Sequence, residues 1–291
     1  MQAVRDICYP CLRKLIYKNI EMAKIDSVFT DTSTLESRID NQLNEIFSQE
    51  PLNVVPTKVA GELQRIVRDE INCPDPFKNI KIDEMKLAKE LSEEFYPEDE
   101  ENFEELISFA VKGNSIDFFV PIDRLYEEIS KKVDFAINEI PWLISYLERM
   151  STGNRESKIL YLADNAGECY FDLPLFRKLR DYGKVFYTVK ESPVQNDLTL
   201  DDLKVSGLEE EFQNIISSGT DTPGLDIDIA NKSFLSHFHS ADLIVAKGMG
   251  HYETFTEIEA DVPVFLLMKA KCEPIALSLG VAFNSYVAVK L

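Results

Sequence analysis

The chain has 291 residues, enough for one large domain or two smaller ones, and its 45% hydrophobic and 28% charged residues are the proportions of a soluble globular protein. A net charge of −20 repels phosphate backbones and argues against a nucleic-acid partner, so any anion site must draw on a local cation, a helix N-terminus or a metal. No stretch approaches the roughly 20 apolar residues that span a bilayer. The N-terminal "MQAVRDICYPCLRKL" has neither an apolar core nor a small-residue cleavage site, so a cytoplasmic location with no membrane partner is expected.

The first half reads as helices. "CLRKLIYKNIEMAKI" (11–25) spaces its apolar residues at three and four, giving one sticky face. Residues 31–48 open with Ser33 and Glu36 at capping-box spacing. Pro56 starts a helix carrying Val59, Leu63, Ile66 and Val67 on one side, and "DEMKLAKELSEEF" (83–95) and "NFEELISFAVKG" (102–113) repeat the pattern. The acidic "YPEDEENFEE" between them reads as a solvated loop and helix start. "RLYEEISKKVDFAINEIPWLISYLERM" (124–150) reads as helix interrupted at Pro141.

The character changes at 151–154. The apolar runs "KILYLA" (158–163), "KVFYTV" (184–189), "FQNII" (212–216), "DLIVAK" (242–247), "VPVFLLM" (262–268) and "SYVAV" (285–289) then alternate with helical patterns. Those patterns are "FDLPLFRKLRDYG", "TLDDLKVSG", "KSFLSHF", "TFTEIEAD" and "EPIALSLG". Such alternation predicts an α/β domain over 154–291 with a mostly parallel sheet, preceded by a helical region over 1–153. Ligands bind such sheets at the carboxyl ends of the strands. The loops that fall there are Asp164-Asn165-Ala166-Gly167-Glu168, "KESPVQNDLTLDD", "SSGTDTPG", "KGMGHYE" and "KAKCE".

Asp164, Asn165 and an acid of the second loop would converge there, and two carboxylates with an amide oxygen are hard ligands for Mg²⁺, Mn²⁺ or a similar ion. The plainer alternative is that Asp164 caps the next helix. In the second loop Asp197 is the better ligand, because Asp201 and Asp202 fit the first turn of a helix. "SSGT", with Ser218, Gly219 and Thr220, has the chemistry of an anion cradle or of an ordinary turn. Lys247 and Lys271 end strands at the same edge and suit phosphate; Gly248, His251 and Glu253 follow the first of them. His237 and His239 would chelate only on a strand, and they fall at the far edge. Of the five cysteines, Cys8 and Cys11 form a C-x-x-C that is half a zinc site, a redox pair, or two thiols on one helical turn. A serine-nucleophile elbow and a P-loop are both missing, and the absence of G-x-G-x-x-G counts against a dinucleotide cofactor.

Taken in order, "YLADNAGE", "SPVQND", "SSGTDTPG" and "KGMGHYE", with "DPFKNIK" (75–81), "KGNSIDF" (112–118) and the C-x-x-C, resemble the metal-dependent damage-control phosphatases, an ARMT-like family first catalogued as a domain of unknown function. The C-x-x-C resembles that of a subfamily with many archaeal members. The resemblance implies a Rossmann-like three-layer domain and a divalent ion (Mn, Co, Ni or Mg) on the catalytic Asp164, Asn165 and Asp197. It implies phosphate and substrate contacts from the "KGMGH" loop, with Lys247, Gly248 and His251, and from Lys271, with Gly113, Asn114 and Asp117 approaching from the helical region; Glu168, Ser218, Gly219, Thr220 and Glu253 of the same loops are the further candidate substrate contacts. The chain departs from the family pattern at His251, where asparagine is common. The implied activity is hydrolysis of small phosphorylated metabolites such as sugar phosphates, nucleotides or cofactor-related phosphates. The rival readings are a carboxyl methyltransferase using S-adenosylmethionine, against which the missing glycine-rich loop counts, and a non-catalytic metal- or metabolite-binding protein.

Overall fold

The structure is a computed structural model and describes residues 7–25, 31–49, 54–116, 122–153 and 155–291. Three helices open the chain, α1 (Tyr9–Ile25), α2 (Ser33–Ser48) and α3 (Pro56–Ile71). Each repeats an apolar residue every three or four positions, which builds one stripe per helix. Leu12, Ile16 and Ile20 of α1, Leu35, Ile39 and Leu43 of α2, and Val59, Leu63 and Val67 of α3 close on one another as a separate core. The cap of α2 lies one residue before the expected one: Thr32 precedes the helix and its hydroxyl donates to Glu36 at 2.6 Å.

Next come α4 (Lys78–Glu94), α5 (Phe103–Gly113) and α6 (Ile122–Ser130). The N-cap Asn102 of α5 accepts from the backbone N–H groups of Glu104 and Glu105. This helix is apolar nearly all round because it is buried on two sides: Leu106, Ile107, Ala110 and Val111 face the sheet, and Phe109 faces α4 and α6.

Residues 135–138 correct the sequence reading. They form a strand, β1 (Phe135–Asn138), and Pro141 sits in the first turn of α7 (Ile140–Ser151) rather than interrupting a longer helix. The period-2 pattern Val133, Phe135, Ile137 was the signal, outweighed by the helical residues around it.

The remaining elements are β2 (Lys158–Leu162), a 3-10 turn Ala166–Glu168, α8 (Cys169–Leu179), β3 (Lys184–Val189), α9 (Leu200–Ser206), β4 (Ile215–Ser217), α10 (Lys232–Ser240), β5 (Leu243–Lys247), α11 (Gly248–Phe255), β6 (Val264–Lys269), α12 (Glu273–Leu279) and β7 (Tyr286–Lys290). Here α11 starts directly at the strand end and stops at Phe255, earlier than the helix read from "TFTEIEAD".

Among the described residues the sheet runs β1-β7-β6-β5-β2-β3-β4, parallel throughout except for the β6–β7 pair. Successive strands step from β2 through β3 to β4, and the chain then returns to the other side of β2 to lay down β5 and β6. The fold is therefore Rossmann-like, with its topological switch between β2 and β5. Strand alternation sends Tyr161, Tyr187 and Val245 toward α5, α7 and α8, and Leu160, Phe186 and Ile244 toward α10, α11 and α12. Three layers result. No helix among the described residues is long and apolar enough to cross a membrane.

Candidate active site

In the parallel register Leu162 lies between Thr188 of β3 and Ala246 of β5. The residues just beyond, Asp164, Lys190 and Lys247, therefore leave the sheet at one edge, beside the switch point. Two backbone bonds zip the first loop to the second: Leu198 N–H donates to Asp164 O at 2.8 Å and Ala166 N–H to Asn196 O at 2.7 Å. These bonds bring Asp197 alongside Asp164 and Asn165, with which it also forms a short antiparallel bridge.

Asn114, at the C-terminus of α5, ties the helical region to the site. Its Nδ2 donates to Asp164 Oδ2 at 3.0 Å and Glu168 Oε1 at 2.8 Å, and its Oδ1 accepts from Lys269 N–H at 3.0 Å. Asn165 Nδ2 donates to the same Glu168 oxygen at 2.8 Å, which leaves its Oδ1 as the amide atom for another partner. Gly248 has φ of 81°, and a Cβ there would overlap the Asp164 carboxylate. Glycine is required at that helix start both for its conformation and for the approach of the acid.

The electrostatics are those of crowded acids. Burial first, then the neighbouring Glu168 and Asp197, push the Asp164 carboxyl well above the ordinary range. Burial also pushes Asp197 up to about 6, against the pull of Lys190 at 3.4 Å. Asp197 Oδ2 is buried and accepts no hydrogen bond among the described residues. Two acids and an amide oxygen, one acid oxygen buried beside the Lys190 ammonium without a well-formed hydrogen bond, fit a hard divalent cation.

Asp164, Asn165, Asp197, Asn114, Lys271 and Glu253 line one pocket of about 240 Å³, whose opposite wall comes from α1 and α3. Lys271 Nζ reaches it while donating to Asn114 O at 2.9 Å.

Residues 4–287 match the profile of the damage-control phosphatase ARMT1-like domain. The chain belongs to that family. Over 97% of its length it is 30% identical to a Pyrococcus horikoshii protein named a damage-control phosphatase, covering 96% of that protein. An Archaeoglobus fulgidus protein of the same name is 26% identical, with 98% of each chain covered. A Methanocaldococcus jannaschii protein of uncharacterised function is 34% identical over 82% of this chain and 81% of its own. The crystal structure of a DUF89 family protein from P. horikoshii superposes with a TM-score of 0.81 at 29% identity, covering 97% of both chains.

In this ARMT1-like chain several residues picked from sequence lie away from the pocket. Lys247 is fully buried and directs its ammonium to Glu168 Oε2 and Asp172 Oδ1, both at 2.6 Å, and to Ala110 O at 2.9 Å. Three acceptors use all three of its N–H groups. Glu168 is likewise enclosed, held by Lys247 on one oxygen and by Asn114 and Asn165 on the other. In "SSGT" the backbone N–H groups are already engaged: Ser218 with Val189 O, Gly219 with Ser217 Oγ, and Thr220 with Ser218 Oγ. Gly113 packs under Phe171. His251 is buried, with Nδ1 against Lys247 O at 2.7 Å, and burial drives it down to about 3, so the ring is neutral. Asp117 lies outside the described residues. His237 and His239 sit on α10, two residues apart on a helix, and His237 packs on Phe186.

Sequence reasoning missed Lys190, Asp172 and Glu84. Lys190 follows β3 as Lys247 follows β5, so the same topological signal marked it; it donates to Thr222 O at 3.0 Å and to Gly224 O. Asp172 accepts from Tyr161 and Tyr187 at 2.8 and 3.0 Å, a buried network that reads as plain core in the strand patterns. Glu84 of α4 accepts from Asn196 at 3.0 Å and holds the second loop from a helix far off in sequence.

The raised Asp197 value makes a stability prediction for the cation-free protein. The folded state holds a proton on Asp197 that the unfolded chain, with an ordinary carboxyl, releases. The contribution is therefore fully present below about pH 4 and lost as pH rises through about 6. The unfolding free energy of the chelator-treated wild type, relative to Asp197→Asn, is expected to fall across this window. Paired urea titrations check it, and a flat difference would contradict the assignment.

Proposed function

We propose that this protein is a metal-dependent phosphomonoester hydrolase of the cytoplasm acting on small phosphorylated metabolites. The observation that carries the reading is the convergence of Asp164, Asn165 and Asp197 beside Lys271 in one pocket at the switch-point edge of the sheet. Kinship with proteins named damage-control phosphatases supports it. Asp164, Asn165 and Asp197 would hold the ion, and Mn²⁺, Co²⁺, Ni²⁺ or Mg²⁺ suits such oxygen donors. When bound, the ion would neutralise phosphoryl charge and acidify a water.

The chain's own residues would do the rest. Lys271 would meet the phosphate oxygens with its ammonium. Asn114 holds the Asp164 carboxylate in place, and Glu168, itself held by Lys247, orients the amides of Asn114 and Asn165. Lys247 is thus a positioning residue in this reading, and the phosphate falls to Lys271. A pocket of about 240 Å³ suits a small metabolite. The apolar side chains of Leu12, Leu15 and Met249 would keep water from the leaving-group end, so the wall from α1 and α3 would set specificity.

The test is hydrolysis of p-nitrophenyl phosphate, then of sugar phosphates and nucleotides, by chelator-stripped protein with each ion restored singly. Turnover is expected only with a cation present. A folded protein inactive with all four ions would overturn the proposal.

A further inference from the structure

Helix α3 faces two ways. Val59, Leu63 and Val67 pack into the core it shares with α1 and α2. Gly61, Gln64, Arg65 and Arg68, spaced three and four apart, form a second stripe along the same helix. That stripe meets the loops that carry the candidate site. Arg65 donates from Nε to Asp221 Oδ1 at 2.8 Å and from Nη2 to Thr222 Oγ1 at 3.1 Å. Arg68 donates to the other Asp221 oxygen and to Pro193 O, so one guanidinium bridges the loops after β4 and β3. Gly61 lies so near Thr222 that a Cβ would fall 2.9 Å from the hydroxyl oxygen. Gln64 is fully buried, and its Oε1 accepts from Asn19 Nδ2 at 3.1 Å and from Gln195 N–H at 3.3 Å.

These contacts bear on Gln195. Its φ is 47°, in the left-handed region. The other non-glycine residues with positive φ among those described, Asn72, Asn214 and Asn284, are all asparagine, whose short side chain tolerates the conformation. Glutamine lacks that tolerance, and it persists in such a conformation only where the surrounding structure holds it. The turn over 194–197 is closed by Asp197 N–H donating to Val194 O at 3.1 Å. Positive φ at the first central position of such a turn usually falls to glycine.

The turn delivers the next two residues. Asn196 gives its side-chain amide to Glu84 at 3.0 Å and its carbonyl oxygen to Ala166 N–H, and Asp197 comes beside Asn165 and Asp164. A Gln195 relaxed to negative φ would turn the chain another way and carry Asp197 from that place. Gln64 holds Gln195 itself and Arg68 holds the chain two residues earlier, from 131 and 125 positions away in sequence.

We infer that Arg68 and Gln64 are positioning residues: from α3 they keep the 194–197 turn in its left-handed form and so place Asp197 in the set that would ligate the cation. The inference rests on the reading of Asp164, Asn165 and Asp197 as that set. It gives the helical region a share in cation affinity as well as a wall of the pocket.

Calorimetric titration of full-length, chelator-stripped protein with Mn²⁺, without substrate, tests this. Arg68→Met is expected to weaken binding about 10-fold, the lower end of the loss that follows removal of a partner behind a metal ligand. In Arg68→Lys a single ammonium cannot span Pro193 O and Asp221 together, and the loss should be smaller. Adding Gln195→Gly to Arg68→Met should return the affinity to within about 3-fold of wild type, because glycine adopts the left-handed turn without being held there. A loss of packing alone would not be repaired by a glycine in another element. Lys58→Met, which removes ion pairs from the same helix to Asp226 and Asp228, should leave the affinity unchanged. Circular dichroism checks folding, and if Arg68→Met does not fold, Arg68→Lys with and without Gln195→Gly makes the same comparison. Wild-type affinity in the Arg68 variants, or a loss that Gln195→Gly does not relieve, would overturn the proposal and leave the cation reading standing. A wild-type protein that binds no Mn²⁺ would overturn both.

Discussion

Asp164→Asn is expected to lower cation-restored turnover by at least about 10²-fold while leaving the stripped protein as stable as wild type or more so. Replacing a partner of a metal ligand already costs roughly 10–100-fold, and a ligand should exceed that range. The asparagine keeps the size of the side chain and can still accept from Asn114 Nδ2 through its own oxygen. What it loses is a negative charge crowded by Glu168 and Asp197 and disfavoured by burial. Removing that charge relieves the fold and disables the site, the usual relation between stability and function at active centres. Steady-state rates across a metal titration, paired with thermal melts in chelator, make the measurement. A variant that is both inactive and markedly less stable would assign Asp164 a structural role.

The second large effect is expected at Lys247, and its sign is the reverse. Lys247→Met leaves Glu168 and Asp172 facing each other, 1% and 0% exposed, with their shared cation gone. Breaking a buried pair by removing one partner costs about 3–5 kcal/mol, and here two acids are stranded. The unfolding midpoint in urea should drop accordingly, and adding Glu168→Gln to the variant should recover part of the loss. By contrast, Lys131→Met breaks an exposed helical pair with Glu127 and should leave the midpoint unchanged. If Lys247→Met kept wild-type stability and lost only substrate affinity, the lysine would be a phosphate ligand after all.

The contrast between Lys247 and Lys271 shows how far the sequence could be read. Both end strands at the active edge, and local pattern gives them the same standing. The strand–helix alternation, the sheet edge and the order of its loops were all legible, because apolar periodicity is a local property. Strand β1 and the helix read from "TFTEIEAD" were exceptions: four residues embedded in helical sequence carry too little period-2 signal, and α11 begins directly at the strand end, at Gly248. Asp202 was read as a first-turn acid and is one: it forms a capping box with Thr199. The "SSGT" turn was legible as a turn or a cradle, and its N–H groups go to Val189, Ser217 and Ser218.

Local chemistry thus gave the class of fold, and it pointed to one strand-end edge and to acids that the structure does bring together there. Tertiary structure decided which charges face the pocket. The acceptors of Lys247 come from residues 75, 79 and 137 positions away, and the acceptor of Lys271 from 157 positions away. No window of sequence contains such pairs. A buried ammonium must use its donors on whatever the packed layers bring within reach, so the division of labour between two similar lysines follows from folding and not from their neighbours in the chain.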